Sequence, residues 1–142
     1  MNRANYLIHK QYDLYSRRLG GVMLCKLLNR WIRWYYHCDI PYCLNLTGVY
    51  FAHKGFGVVI NPKSCIGKGT YIQHDVTIGA RDDTKNTNAP QIGENCYIGA
   101  KAIIIGDINI GNNVKIGAGA VVTKNVPDNA TAVGVPARII LK

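Results

Sequence analysis

Histidine is the side chain whose pKa lies near neutrality, so histidines are the first candidates for moving protons at physiological pH. The chain has four: His9, His37, His53 and His74. His53 stands just ahead of Gly55-Phe56-Gly57-Val58-Val59-Ile60, and His74 lies beside Asp75 in the run Ile72 to Thr77. Either imidazole could take a proton from an attacking group as a general base. His9 and His37 fall in a helical region and read as surface or boundary residues. A zinc site needs three or four clustered nitrogen or sulfur ligands. Only His53 and His74 lie in or beside the repeats described next, so no metal is expected. Cys25, Cys38, Cys43, Cys65 and Cys96 show no CxxC spacing and read as free thiols, mostly buried.

What must position His53 and His74 is a repeat. From Ile60 the chain divides into sixes: INPKSC, IGKGTY, IQHDVT, IGARDD, then, after an interruption, IGENCY, IGAKAI, IIGDIN, IGNNVK, IGAGAV, VTKNVP. Every first position is Ile or Val, and Gly follows it in six of these ten units. The fifth position is small or β-branched, from Ser64 and Thr70 to Ala120 and Val126, except for Asp82. A period of six matches neither a helix nor an alternating strand. It fits a triangular solenoid in which each unit supplies one short strand and one corner, and three units close a coil. The interruption, Ala80 to Gln91, adds eight polar residues and reads as a loop thrown out of a rigid frame, where functional elements concentrate.

Upstream, residues 6 to 37 read as helix, broken at Gly20-Gly21 and ended by Asp39-Ile40-Pro41. Val22, Leu24, Cys25, Leu27, Leu28, Trp31, Ile32 and Tyr35 give a broad apolar face, with Lys26, Asn29, Arg30 and Arg33 opposite. The expected organisation is a helical segment over 1–44 and a solenoid over 45–142 carrying the loop 80–91. The formal charge of +9 is concentrated early, with seven of the seventeen basic residues before residue 35. No alternation of basic and aromatic residues suggests single-stranded nucleic acid, and nucleic acid is not an expected partner. With Trp31, Trp34, Tyr35 and Tyr36, residues 1–37 instead have the make-up of a helix that touches an anionic membrane surface, although the same face could cap the open end of the solenoid. No run is long and apolar enough to span a bilayer, and no signal peptide is recognisable, so a cytoplasmic location is expected, with contact to the inner face of the membrane as an option.

The segments CDIP, the His53 to Ile60 run, VTIG at Val76 to Gly79 and the closing IGAGAVVTKNVP with AVGVPARII resemble the serine acetyltransferase branch of hexapeptide-repeat acyltransferases, over about residues 38 to 142. The resemblance implies a mainly β fold, a left-handed parallel β-helix with a short N-terminal α-helical segment, assembled as a homotrimer. It also implies acetyl-CoA as the acetyl donor, with His53 the general base and Asp39 the carboxylate that orients it. His74, Asp75 and Asn88 then belong to the acceptor site, with His74 the rival base. Backbone around Gly79, Ala100 and Ala118 would line the pantetheine arm, and Lys124 and Arg138 would meet its phosphates. Serine-specific relatives carry an Asp before the histidine and an Arg-His pair in the loop, where this chain has Ala52 and Asn88-Ala89. The spacing after His53 is similar to that of the branch that acetylates sugars of surface polysaccharides. A sugar or glycan hydroxyl is therefore the expected acceptor, serine or a xenobiotic the alternative, and a non-catalytic scaffold the reading from another class.

Overall fold

A computed structural model describes residues 3–16, 21–81 and 88–141. Two helices, α1 (Arg3–Ser16) and α2 (Gly21–Tyr36), precede the strands. The strands are β1 (Tyr50–Phe51), β2 (Val59–Ile60), β3 (Cys65–Ile66), β4 (Tyr71–Ile72), β5 (Thr77–Gly79), β6 (Gln91–Ile92), β7 (Tyr97–Ile98), β8 (Ile103–Ile105), β9 (Asn109–Ile110), β10 (Lys115–Ile116), β11 (Val121–Val122), β12 (Thr131–Val133) and β13 (Arg138–Ile140).

From β1 to β11 every third strand is a neighbour in space. The first sheet runs β1-β4-β7-β10-β12-β13, the second β11-β8-β5-β2 and the third β3-β6-β9, so the chain winds around a three-sided prism. Val59 pairs with Thr77 and Tyr97 with Lys115, each 18 residues on, as three units of six require. Across the interruption Thr77 pairs with Ile103, which absorbs the eight extra residues without disturbing the register. Residues 82–87 of that loop, Asp82 among them, lie outside the described residues.

The repeat accounts for the core. First-position residues from Ile60 to Val122 are all buried, as are the fifth-position residues Ser64, Thr70, Val76, Cys96, Ala102, Ile108, Val114, Ala120 and Val126. Glycine at the second position is needed because consecutive corners lie backbone on backbone there: a Cβ on Gly99 would sit 2.6 Å from the Ala118 nitrogen. Parallel pairing also reaches back beyond the recognisable repeats, with a bridge from Asp39 to Val59.

The helices close the end that the first coil leaves open. An edge strand presents backbone groups with no partner, and side-chain amides stand in for the missing coil. Asn5 donates from Nδ2 to Phe51 O (3.2 Å) and accepts from Phe51 N (3.1 Å). His9 Nε2 donates to Val49 O (2.9 Å), and Asn29 Nδ2 donates to Ile40 O (2.7 Å) and to Gln11 Oε1 (3.1 Å). Ala4, Ile8, Ile32 and Tyr36 continue the core of the solenoid. The expected α2 face needs correction. Cys25, Leu28, Asn29, Ile32 and Tyr36 face inward, at helical spacing, whereas Val22, Leu24, Leu27, Trp31 and Tyr35 are exposed. Asn29, expected on the polar face, is buried because only its amide can satisfy the Ile40 carbonyl there. At the other end β13 turns back and pairs antiparallel with β12.

Candidate active site

At the corner between the first and second sheets the chain departs from its repeat once. Between β4 and β5 it needs only residues 73–76, and between β7 and β8 only 99–102, whereas between β1 and β2 it takes residues 52–58. Backbone pairing of Asp75 N with Phe56 O (2.9 Å) aligns Phe56 with His74, so His53 to Gly55 form an inserted bulge. His53 (φ 46°, ψ 34°) and Lys54 (φ 64°, ψ 18°) are both left-handed there, a conformation costing a non-glycine residue about 1–3 kcal/mol. Strain of this kind persists where surrounding structure imposes it, and its product is an imidazole carried out over the rung below.

That imidazole meets His74. The two ring centroids are 4.9 Å apart with planes at 89°, one ring edge-on to the other. Both rings, with Lys54 and Phe56, line an open cavity of about 530 Å³. His53 is exposed and His74 half-buried, and His74 Nδ1 is shut off from solvent with no hydrogen-bond partner. A buried ring nitrogen without a partner costs about 1–3 kcal/mol. His37 packs edge-on against Phe56 at 5.8 Å and supports the cavity wall.

Two predicted neighbours of the histidines lie elsewhere. Asp39 projects from the strand position beside Val59, and its carboxylate is paired with Arg33 at the end of α2 (3.1 Å). It makes no hydrogen bond to His53, so the ring orientation seen here rests on His74 and the bulge. Asn88 sits at a different corner, between the second and third sheets, where Nδ2 donates to Asp107 Oδ2 (3.3 Å). His74 and Asp75 share a corner; Asn88 does not join them within one chain.

The residues expected around a cofactor divide in the same way. Ala100 and Ala118 stack directly below His74, through Lys101 N to His74 O (3.0 Å) and Gly119 N to Ala100 O (2.8 Å). Arg138 pairs with Val133 at the C-terminal end of that edge. Gly79 and Lys124 lie on the opposite edge of the second sheet, Lys124 beside a small cleft of about 80 Å³ lined by Thr123, Pro136 and Ala137. Among the described residues no three His, Cys, Asp or Glu side chains come together as a metal site would require. Lys54 and Phe56 were missed in the sequence; the glycines at 55 and 57, either side of Phe56, were the available sign of an irregular corner.

Residues 89–124 match the bacterial transferase hexapeptide (six repeats) family. Similar proteins include the serine acetyltransferase of Bacillus pumilus, 32% identical over 131 residues, which covers 92% of this chain and 59% of that protein. The serine acetyltransferase of Synechococcus elongatus is 39% identical over 95 residues, or 67% of this chain and 38% of the relative. Among solved structures, serine acetyltransferase from Brucella abortus in complex with coenzyme A superposes with a TM-score of 0.85 at 33% identity, covering 96% of this chain and 54% of that one. The Neisseria gonorrhoeae serine acetyltransferase gives 0.83 at 31%, covering 98% and 52%. The chain thus spans between 38% and 59% of the length of these relatives. Their names do not support the expected sugar-acetylating branch: they are serine acetyltransferases.

Proposed function

We propose that the protein is an acetyl-CoA-dependent O-acetyltransferase with His53 as general base, and that serine, or a small hydroxyl compound like it, is the acceptor. The observation that carries this reading is the His53–His74 pair over an open cavity, above an edge of small residues. The acetyl thioester would supply an activated carbonyl. His53 takes the proton as the acceptor oxygen attacks that carbonyl, the carbon–sulfur bond breaks, and the proton returns to the departing sulfur. His74 lines the same cavity and would face the bound acceptor. Ala100 and Ala118 present backbone without side chains in the way, which suits the close approach of an extended pantetheine arm. The names of the relatives support serine as acceptor. The sugar reading retains one specific support: the cavity is lined by His53, Lys54, Phe56 and His74, with no carboxylate among them to pair a serine ammonium.

The coil is left-handed on this reading, and the working unit is a homotrimer. Val59, Thr77, Ile103 and Val121 make the outer face of the second sheet apolar and incompletely buried. The two groups of expected site residues flank that face. Copies packed with these faces toward a common axis would bring Asn88, Gly79 and Lys124 of one chain against His53, His74, Ala100 and Ala118 of the next. Asp39 would remain with Arg33, as a brace for the corner. The division into a helical segment over 1–44 and a solenoid over 45–142 is part of the same proposal.

Release of free coenzyme A thiol, measured with serine and separately with a panel of sugars, tests the reading. Turnover is expected with serine, and His53→Ala should lower kcat by roughly 10²–10⁴ with little change in KM for acetyl-CoA. Full activity in His53→Ala, or no thioester turnover with any hydroxyl acceptor, would overturn it; turnover with sugars alone would move the acceptor assignment and leave the chemistry standing.

A further inference from the structure

The outward face of α2 is apolar in a way that capping the solenoid does not explain. The inward stripe, Cys25, Leu28, Asn29, Ile32 and Tyr36, already does the capping. Opposite it, Met23 is 76% exposed, Trp34 73% and Leu27 57%, and Trp31 stacks on Tyr35 (5.1 Å, planes at 6°) at the same surface. An exposed contiguous apolar patch marks a contact site. Its flank is basic: Lys26, Arg30 and Arg33, with Asn29, Trp34 and Tyr42, line a cavity of about 550 Å³. Arg33 is engaged by Asp39, which leaves Lys26 and Arg30 as the cations facing outward. The helix carries no Asp or Glu.

We infer that this face of α2 docks the protein on an anionic lipid surface, with Met23, Leu27 and Trp34 entering the acyl boundary and Lys26 and Arg30 meeting lipid phosphates. Apolar insertion and cationic attraction on one helix are the two terms that together hold an interfacial helix. Tryptophan prefers the headgroup level, where its ring is amphipathic. Charge complementarity selects the lipid over a second copy, because a symmetric pairing of two α2 faces would set Lys26 and Arg30 against their own kind with no acid on the helix to relieve them. No described helix is long and apolar enough to cross a membrane, so the contact is peripheral. This inference does not depend on the acceptor.

Both tryptophans of the chain lie on α2, so intrinsic fluorescence reports on this face alone. The full chain is mixed at low salt with vesicles of phosphatidylcholine, or of phosphatidylcholine with an equal part of phosphatidylglycerol, and followed by emission shift and co-sedimentation. A blue shift and co-sedimentation are expected with the anionic vesicles only, fading as salt rises. Each basic residue near an anionic surface contributes about fivefold in binding, so the double variant Lys26→Ala, Arg30→Ala should bind roughly thirtyfold more weakly. Trp34→Ala should also weaken binding with its thermal midpoint unchanged, since that side chain supports no core. No binding to anionic vesicles at low salt, or binding unaffected by the double variant, overturns the inference. So does a fall in sedimentation coefficient for Trp34→Ala without lipid, which would give the face to a second copy.

Discussion

Gly57 and Gly119 occupy the same corner line of the prism, with nearly equal backbone angles (φ 68° and 67°), yet their surroundings differ. A Cβ on Gly119 would meet nothing within 4 Å, whereas one on Gly57 would strike the Asp75 carboxylate and lie 3.2 Å from its Cα. Gly119→Ala should therefore cost only the left-handed backbone penalty, about 1–2 kcal/mol. Gly57→Ala adds overpacking of about 1–3 kcal/mol, because the Asp75 backbone is held by its bond to Phe56 O and cannot retreat. The difference should displace the urea midpoint by about 1 M at an unchanged slope. Measurements at one fixed protein concentration keep any assembly equilibrium constant. Replacing Asp75 with Ala in the Gly57→Ala background should recover about 1–2 kcal/mol as a coupling term. Equal midpoints for the two glycine variants, or additive effects of Gly57→Ala and Asp75→Ala, would refute the corner packing described here.

Two further outcomes are expected. Asn5→Ala strips the buried Phe51 N–H and carbonyl of their partner, at about 1–3 kcal/mol for each group, visible as a lower thermal midpoint; Asn5→Asp should recover only the half that accepts from Phe51 N. In timed alkylation read by mass spectrometry at pH 8, exposed Cys43 and Cys65 should react first and Cys25, Cys38 and Cys96 only on unfolding. Burial, with the Asp39 carboxylate adding, pushes the Cys38 thiol up to about 11 from 9.0, so the folded protein keeps that proton where the unfolded chain loses it. The associated stability is present below pH 9.0 and lost as pH rises toward about 11; faster labelling of Cys38 than of Cys43 in the native protein would contradict the placement.

The solenoid was legible in the sequence because its constraint is local and repeated: each coil asks for the same side chain at the same offset, and Ile60 to Val122 answer it with a single interruption after Ile78. Only the first coil escaped, since Asp39-Ile40 and Tyr50-Phe51 keep the spatial columns without the Ile-Gly spelling. The helices were found at the right place, but an apolar stripe does not say which side of it is covered. Trp31 and Leu27 looked like core and are outside; Asn29 looked like surface and is inside, drawn in by a carbonyl that only the fold reveals. The histidine pair was legible as two candidates, not as a contact, because what joins His53 to His74 is an insertion of three residues whose left-handed path no spacing rule contains. The ion pair of Asp39 with Arg33 was not legible in its motif, and within one chain Asn88 is separated from His74 by the width of the second sheet.

A parallel coil is by nature a growing thing, since each turn offers the next one a complete template of backbone groups. The antiparallel return of β13 spoils that template at one end: a further copy arriving in parallel register would find donors and acceptors at the wrong spacing and strand polarity. With side-chain amides occupying the other end, the protein terminates instead of polymerising. Among the described residues the flanks of the prism carry no such stop, and sideways packing of three-sided units can close on itself where end-to-end stacking would run on as a fibre.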